Sequence, residues 1–158
     1  MDKAEKIHSL FKGFERGGFR AKNRFVRSAT WLGGYDSITG EISTAEINRH
    51  AEIAAGGAGT LITGLAFVNP EGRSFERQWG LHEDKRTDDV SKLCQAVHRS
   101  DSRLIVQLCH GGGQRESSVA EKSTSYSPSG GIHPGCDFET RSLPTDEIEK
   151  IGKDFTAA

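Results

Sequence analysis

No apolar run in this 158-residue chain approaches the roughly 18 residues that a membrane span requires. The start, Met1-Asp2-Lys3-Ala4-Glu5-Lys6, leads into no apolar core of the signal-peptide kind. Charge of one sign is lacking as well. With 21 basic and 22 acidic residues the formal net charge is −1, which offers nothing to nucleic acid or to an anionic membrane surface. The three cysteines, Cys94, Cys109 and Cys136, are odd in number and far apart. They make neither a disulfide framework nor a CxxC metal pair, so reduced thiols are expected. His133 and Cys136 have no further ligand at suitable spacing, and no metal site is expected there. No internal repeat stands out. These absences make the cytoplasm the simplest location.

A hydrophobic fraction of 34%, with 19 glycines besides, is enough for the core of one domain. Three short apolar runs read as buried strands: Phe25 to Thr30, Thr60 to Leu65 and Leu104 to Leu108. Before them, weak alternation from Leu10 to Val26 around Gly17-Gly18 predicts a hairpin, in a lead-in of residues 1–24. Ser43-Thr44-Ala45-Glu46 has capping-box spacing and predicts a helix with Ile47, Ala51 and Ala54 inward, ending at Gly56-Gly57. A second helix is predicted over Lys85 to Arg99, where Val90, Leu93, Cys94 and Val97 make one apolar stripe. A loop of more than thirty residues follows the third strand. Thr145 then reads as an N-cap, with Ile148, Ile151 and Phe155 as the inner stripe of a third helix. At the turn Ser100-Asp101-Ser102, aspartate is expected to take up the left-handed conformation.

The order is βαβαβα, which implies parallel strands and right-handed crossovers. Loops after the strands are long and returns after the helices are short. A (β/α) barrel has that pattern when its chemistry sits at the carboxyl ends of its strands. A closed barrel needs eight units, and three are legible. The fold class is therefore α/β, a TIM (β/α)8 barrel represented by its first three β/α units over residues 25–158. The expectation is the opening part of a larger fold, whether a fragment, a truncated gene or a split enzyme.

Three motifs stand in register: Lys22-Asn23-Arg24-Phe25-Val26-Arg27-Ser28-Ala29-Thr30, then Ala54 to Gly64 with Val68-Asn69-Pro70-Glu71-Gly72-Arg73, then Gln107-Leu108-Cys109-His110-Gly111-Gly112. Their order and spacing, from about Leu10 to Phe155, resemble the N-terminal part of the old yellow enzyme family. The resemblance implies an FMN-dependent NAD(P)H oxidoreductase on a TIM barrel. Hydride would pass from NAD(P)H to FMN and then to an activated alkene such as an α,β-unsaturated carbonyl compound. It also implies cofactor-binding roles for Ser28, Ala29, Thr30 and Trp31 at the end of strand one, for Leu65 or its neighbour Gly64 at the end of strand two, and for Gln107 on strand three. An amide offers a donor and an acceptor together, which suits a flavin pyrimidine edge.

Trp31 and Leu65 depart from the small residues common at those positions in the family. The family's substrate-binding His pair, its proton donor and its FMN-phosphate ligands lie beyond residue 158, so no catalytic residue is expected here. His110 is expected to be a hydrogen-bonded core histidine, Gly111 to Gly113 a turn, and Arg24 and Arg27 members of structural ion pairs. Expected partners are a small-molecule substrate and either a second copy of the chain or a complementary barrel fragment. The alternative is a truncated, catalytically inactive barrel fragment that acts as an assembly module. On either view the isolated chain is expected neither to hold FMN stoichiometrically nor to oxidise NADH at a useful rate.

Overall fold

Short strands and capped helices alternate along a computed structural model that describes residues 3–33 and 38–158. Met1 and Asp2 of the lead-in lie outside the described residues. The elements are α1 (Lys3–Phe11), β1 (Phe14–Arg16), β2 (Phe19–Ala21), β3 (Val26–Arg27), α2 (Thr44–Ala55), β4 (Thr60–Phe67), α3 (Thr87–His98), β5 (Arg103–Cys109), α4 (Ser117–Ala120), β6 (Tyr126–Ser127), β7 (Gly131–Ile132), β8 (Glu139–Ser142) and α5 (Thr145–Ala157). Among the described residues no helix is long and apolar enough to cross a membrane.

The barrel strands are β3, β4 and β5, hydrogen-bonded in that order. Val26 pairs with Thr60 and Arg27 with Leu61, in parallel. Bonds from Arg103 N–H to Gly59 O and from Val68 N–H to Cys109 O join the starts and the ends of β4 and β5, so the two strands run the same way. The chain divides into two compact units. The first holds residues 42–64 and 87–107 with the N-terminal segment, and the second holds 65–86 and 108–158 with residues 38–41.

In the first unit, α2 and α3 cover one face of the strands. Ala54, Leu61 and Val97 are fully buried, with Ile53, Ala58 and Leu104 packed around them. Ser43 caps α2: its hydroxyl accepts from Glu46 N–H at 3.1 Å. The stripe of α3 falls as expected, with Leu93 and Val97 buried. The expected hairpin is β1–β2, with Arg16 opposite Phe19 across Gly17-Gly18. It is tied to the foot of the sheet by Arg103 Nε donating to Arg20 O at 2.7 Å and by Lys22 Nζ donating to Ser100 O. Asp101, in the return to β5, has φ 51°, the left-handed conformation expected of it.

Several expectations fail in instructive ways. Leu10 and Phe11 belong to α1, not to the hairpin, because Ile7, Leu10 and Phe11 already carry helical spacing. The first strand is only Val26–Arg27, not Phe25 to Thr30. Residues 30–31 pass over β4 instead of running beside it, and a Cβ at Gly64 would stand 3.0 Å from both Thr30 O and Trp31 Cα. The inner face of α2 carries Glu46, His50 and Ala54, where Ile47 and Ala51 were expected.

In the second unit, Phe67 stacks on His82 with centroids 5.0 Å apart, Arg73 lies over the Phe67 ring, and Trp79 is buried beside them. The long loop is not structureless. It contains α4 and a small sheet in which β8 pairs in parallel with β6 and antiparallel with β7. Strands of two residues leave no periodicity to read. Pro144, not Thr145, flanks α5 as its N-cap. The expected inner stripe of α5 is largely solvent-facing, with Ile148 54% and Phe155 38% exposed. Polar contacts hold the helix instead: Asn69 donates to Asp154, and Lys150 lies 3.7 Å from Glu71.

Candidate cofactor site

Side chains alternate along β5, so Leu104 reaches the helix-covered core while Ile105 and Gln107 face the other way. Gln107 is half-buried, and its side-chain amide makes no hydrogen bond to the protein among the described residues. Its backbone is held by a side chain: Gln107 N–H donates to Thr63 Oγ1 at 3.1 Å. The Thr63 hydroxyl is buried and donates in turn to Gly64 O at 2.8 Å. The fixed strand end thus presents an unused amide.

Ser28, Ala29, Thr30 and Trp31 follow β3 as an irregular segment. The Thr30 hydroxyl donates back to Ser28 O at 3.1 Å. Arg27 Nη1 donates to Ile62 O at 3.2 Å and, over a longer 3.4 Å, to Thr30 O. Arg27 therefore binds backbone carbonyls where an ion pair was expected. Arg24 lies over the Phe14 ring at 5.5 Å, a cation–π contact in place of its expected ion pair. On α2, Glu46 and His50 form a buried pair, His50 Nδ1 lying 3.4 Å from Glu46 Oε1. Burial pushes the Glu46 carboxyl up to about 7, opposed in part by Arg27, and burial also lowers the pKa of His50.

Leu65 belongs to the second unit. Its carbonyl accepts from Gln78 Nε2 at 3.2 Å, while Gln78 Oε1 accepts from Ser74 N–H and Phe75 N–H at 2.7 and 3.2 Å. Gln78 is fully buried and organises that loop. The sequence carries no signal for it, since a single glutamine in a loop has no pattern around it. His110 accepts from Gly112 N–H at Nδ1, and burial, then Arg115, lower its pKa. It is neutral near pH 7 with its proton on Nε2; it is hydrogen-bonded as expected but half-buried, not in the core. Gly111 to Gly113 form a turn. His133 Nε2 is hydrogen-bonded to Thr140 Oγ1, and the Cys136 thiol donates to Gly113 O. Cys94, Cys109 and Cys136 are all free thiols.

The donor set suits a flavin: an unspent amide at a strand end, a close-approach glycine beside it, and an irregular segment at the end of β3 whose Thr30 carbonyl accepts from Arg27. The sequence profile of the NADH:flavin oxidoreductase / NADH oxidase family matches residues 9–158. A probable NADH-dependent flavin oxidoreductase, YqiG, of Bacillus subtilis is 32% identical over 97% of this chain and 41% of its own length. An NADH oxidase of Thermoanaerobacter brockii is 30% identical over 95% of this chain and 23% of its own. Among solved structures, the old yellow enzyme homologue of Zymomonas mobilis superimposes with a TM-score of 0.79 at 26% identity, over 94% of this chain and 43% of that one. The chain thus spans less than half the length of these relatives. The fold of the neighbours is the TIM barrel, and the family's cofactors are FMN and NAD(P)H. With the profile matched over nearly its whole length, the chain belongs to the NADH:flavin oxidoreductase / NADH oxidase family.

Proposed function

We propose that residues 25–158 form the first three β/α units of an FMN-binding TIM barrel, with residues 1–24 as its lead-in. The complete enzyme would pass hydride from NAD(P)H through FMN to an activated alkene such as an α,β-unsaturated carbonyl compound. The observation that carries this reading is the unspent Gln107 amide on a backbone held by Thr63. Bound FMN supplies two-electron hydride chemistry that no side chain offers. This chain's residues would bind and orient it. Gln107 would present donor and acceptor to the pyrimidine edge, and the segment Ser28-Ala29-Thr30-Trp31 would lie against the ring.

A second reading has its own observation. Val26 and Ile105 are 53% and 41% exposed on the sheet face turned away from α2 and α3. An apolar sheet face of this kind associates. The chain would then be a catalytically silent barrel segment that recruits a second copy or a complementary fragment.

One experiment separates the two. The chain is purified alone and after co-expression with strands four to eight of the Bacillus relative, and intact mass, visible spectrum and NADH oxidation are recorded. The flavin reading expects bound flavin and NADH oxidation in the co-expressed complex, with both lost in Gln107→Leu. A complex that assembles without flavin supports the silent module.

A further inference from the structure

A cavity of about 440 Å³ lies within the second unit, walled by the loop after β4 and by α4. Small-molecule sites have volumes of about 300–1,000 Å³. Its rim is apolar at Ile38 and Pro70, and Val119 of α4 lies in its wall with 6% exposure. Arg115, also 6% exposed, lines the same wall. Its guanidinium is held by carbonyl and hydroxyl oxygens, and among the described residues no carboxylate is paired with it. A buried cation with neutral acceptors alone keeps much of its desolvation penalty. The carboxylates of the wall are already engaged. Glu76 is ion-paired to Lys122 at 3.1 Å, and Glu71 lies 3.7 Å from Lys150. His82 lines the cavity too, and its Nδ1 is buried without a partner.

Two donors of the wall remain available, both just after α4. Arg115 Nη2 donates to Ser123 Oγ at 2.8 Å, which leaves the Ser123 hydroxyl hydrogen unspent and polarised by the guanidinium. Lys122 has three N–H donors and gives one to Glu76. An anion beside them meets both donors and sets a counter-charge against Arg115. We propose that this cavity binds a small carboxylate with an apolar body, held by Ser123 Oγ–H and Lys122 Nζ in the field of the buried Arg115. The apolar body lies against Val119, Ile38 and Pro70. A single negative charge suits the wall better than two, because Glu71 and Glu76 also line it. The cavity is wholly in the second unit, whereas Gln107 is in the first.

The experiment titrates the purified chain with phenylacetate and, in parallel, with phenylacetamide, following the backbone ¹⁵N–¹H resonances. The two probes share a shape and differ in charge. The expected result with phenylacetate is saturable shifts at Ile38, Val119 and Ser123, with a dissociation constant of about 1 mM or below. Phenylacetamide binds more weakly by about tenfold or more. Lys122→Gln, at an exposed position, weakens phenylacetate by about threefold or more and leaves the free spectrum otherwise as in the wild type. Ser123→Ala weakens it as well. Equal affinity for acid and amide, shifts centred on Val26 and Ile105 of the sheet face, or no saturation overturns the proposal. Phenylacetate affinity unchanged in both variants overturns it too. Should Ser123→Ala fail to fold, the acid–amide pair on the wild type and Lys122→Gln decide.

Discussion

Thr63 holds Gln107 through a hydroxyl that stands in the place of a backbone carbonyl, accepting its N–H at 3.1 Å. Because the same hydroxyl donates to Gly64 O, one buried oxygen ties β5 to the point where β4 lets the 30–31 segment cross. Thr63→Val keeps the shape and removes the oxygen, so the half-buried Gln107 N–H loses its acceptor. The expected cost is about 1–3 kcal/mol, read as a lowered urea midpoint with unchanged slope. Thr63→Ser retains the oxygen and should recover much of the loss. Equal loss in both variants would show that the methyl group, not the hydrogen bond, matters.

Gly59 and Asn23 form a second constraint in the first unit. A Cβ at Gly59 would fall 2.4 Å from Asn23 Oδ1 and 2.6 Å from Asn23 O. Asn23 is itself fixed, its Nδ2 donating to Gly57 O at 2.8 Å. Gly59→Ala is expected to destabilise by about 1–3 kcal/mol, as overpacking does. Adding Asn23→Ala should not rescue it, because the backbone oxygen is nearly as close as the side chain. Full rescue by the double variant, measured by thermal unfolding, would refute this account.

The barrel pattern was legible because its strongest signals are local. The Ser43 cap, the Leu93–Val97 stripe and the left-handed Asp101 each depend on a few neighbouring residues. Strand one was read too long because the crossing over Gly64 is a tertiary event between segments more than thirty residues apart. The stripe of α2 was misread for a different reason. Glu46, His50 and Ala54 have i, i+4, i+8 spacing, but an acid and an imidazole are ordinarily placed outward, and only the fold shows both buried. Gln107 was named by resemblance alone. Its partner Thr63 lay inside a quoted motif and acquired a role only from geometry.

Stability should depend on pH through the same pair, with opposite signs. The folded-state pKa of Glu46 is about 7 against an ordinary 4.5. Its contribution is therefore full below 4.5 and is lost as pH rises to about 7. Burial lowers the pKa of His50, so its contribution is full above its ordinary 6.5 and is lost as pH falls. Glu46→Gln removes only the first effect. Relative to wild type, the variant should gain stability between pH 4.5 and 7 and then level off, with a total gain of about 3 kcal/mol. Urea unfolding at several pH values tests this, and a flat difference would mean that Glu46 ionises as it does in the unfolded chain.

Arg115 organises the start of the long loop in the second unit. It is buried, and it donates to Arg73 O at 2.7 Å, Ser125 Oγ at 3.0 Å and Ser123 Oγ at 2.8 Å, with longer bonds to Thr124 O and Val119 O. A lysine cannot reproduce a planar fork with five donors. Arg115→Lys and Arg115→Met should both raise amide exchange across residues 115–142 by tenfold or more, corresponding to about 1.4 kcal/mol or above. Exchange on α2 and α3 should stay as in the wild type. Unchanged protection in the loop would place its stability in the β6–β8–β7 sheet instead.

Asp101 offers the opposite case, a residue whose replacement should stabilise. It is exposed and left-handed at φ 51°, at the end of a return held by Asp101 N–H donating to His98 O at 2.9 Å. Glycine keeps that backbone bond and removes the Cβ strain, but it also enlarges the conformational freedom of the unfolded chain. The first effect is worth roughly 1–2 kcal/mol for most side chains and less for aspartate; the second opposes it by about 0.4–1 kcal/mol. Asp101→Gly should therefore come out neutral to slightly stabilising, while Asp101→Val, β-branched in the same conformation, should lose at least 1 kcal/mol. The gap between the two variants in one thermal-unfolding series measures the strain directly. If Gly and Val behaved alike, the turn would have relaxed out of the left-handed region.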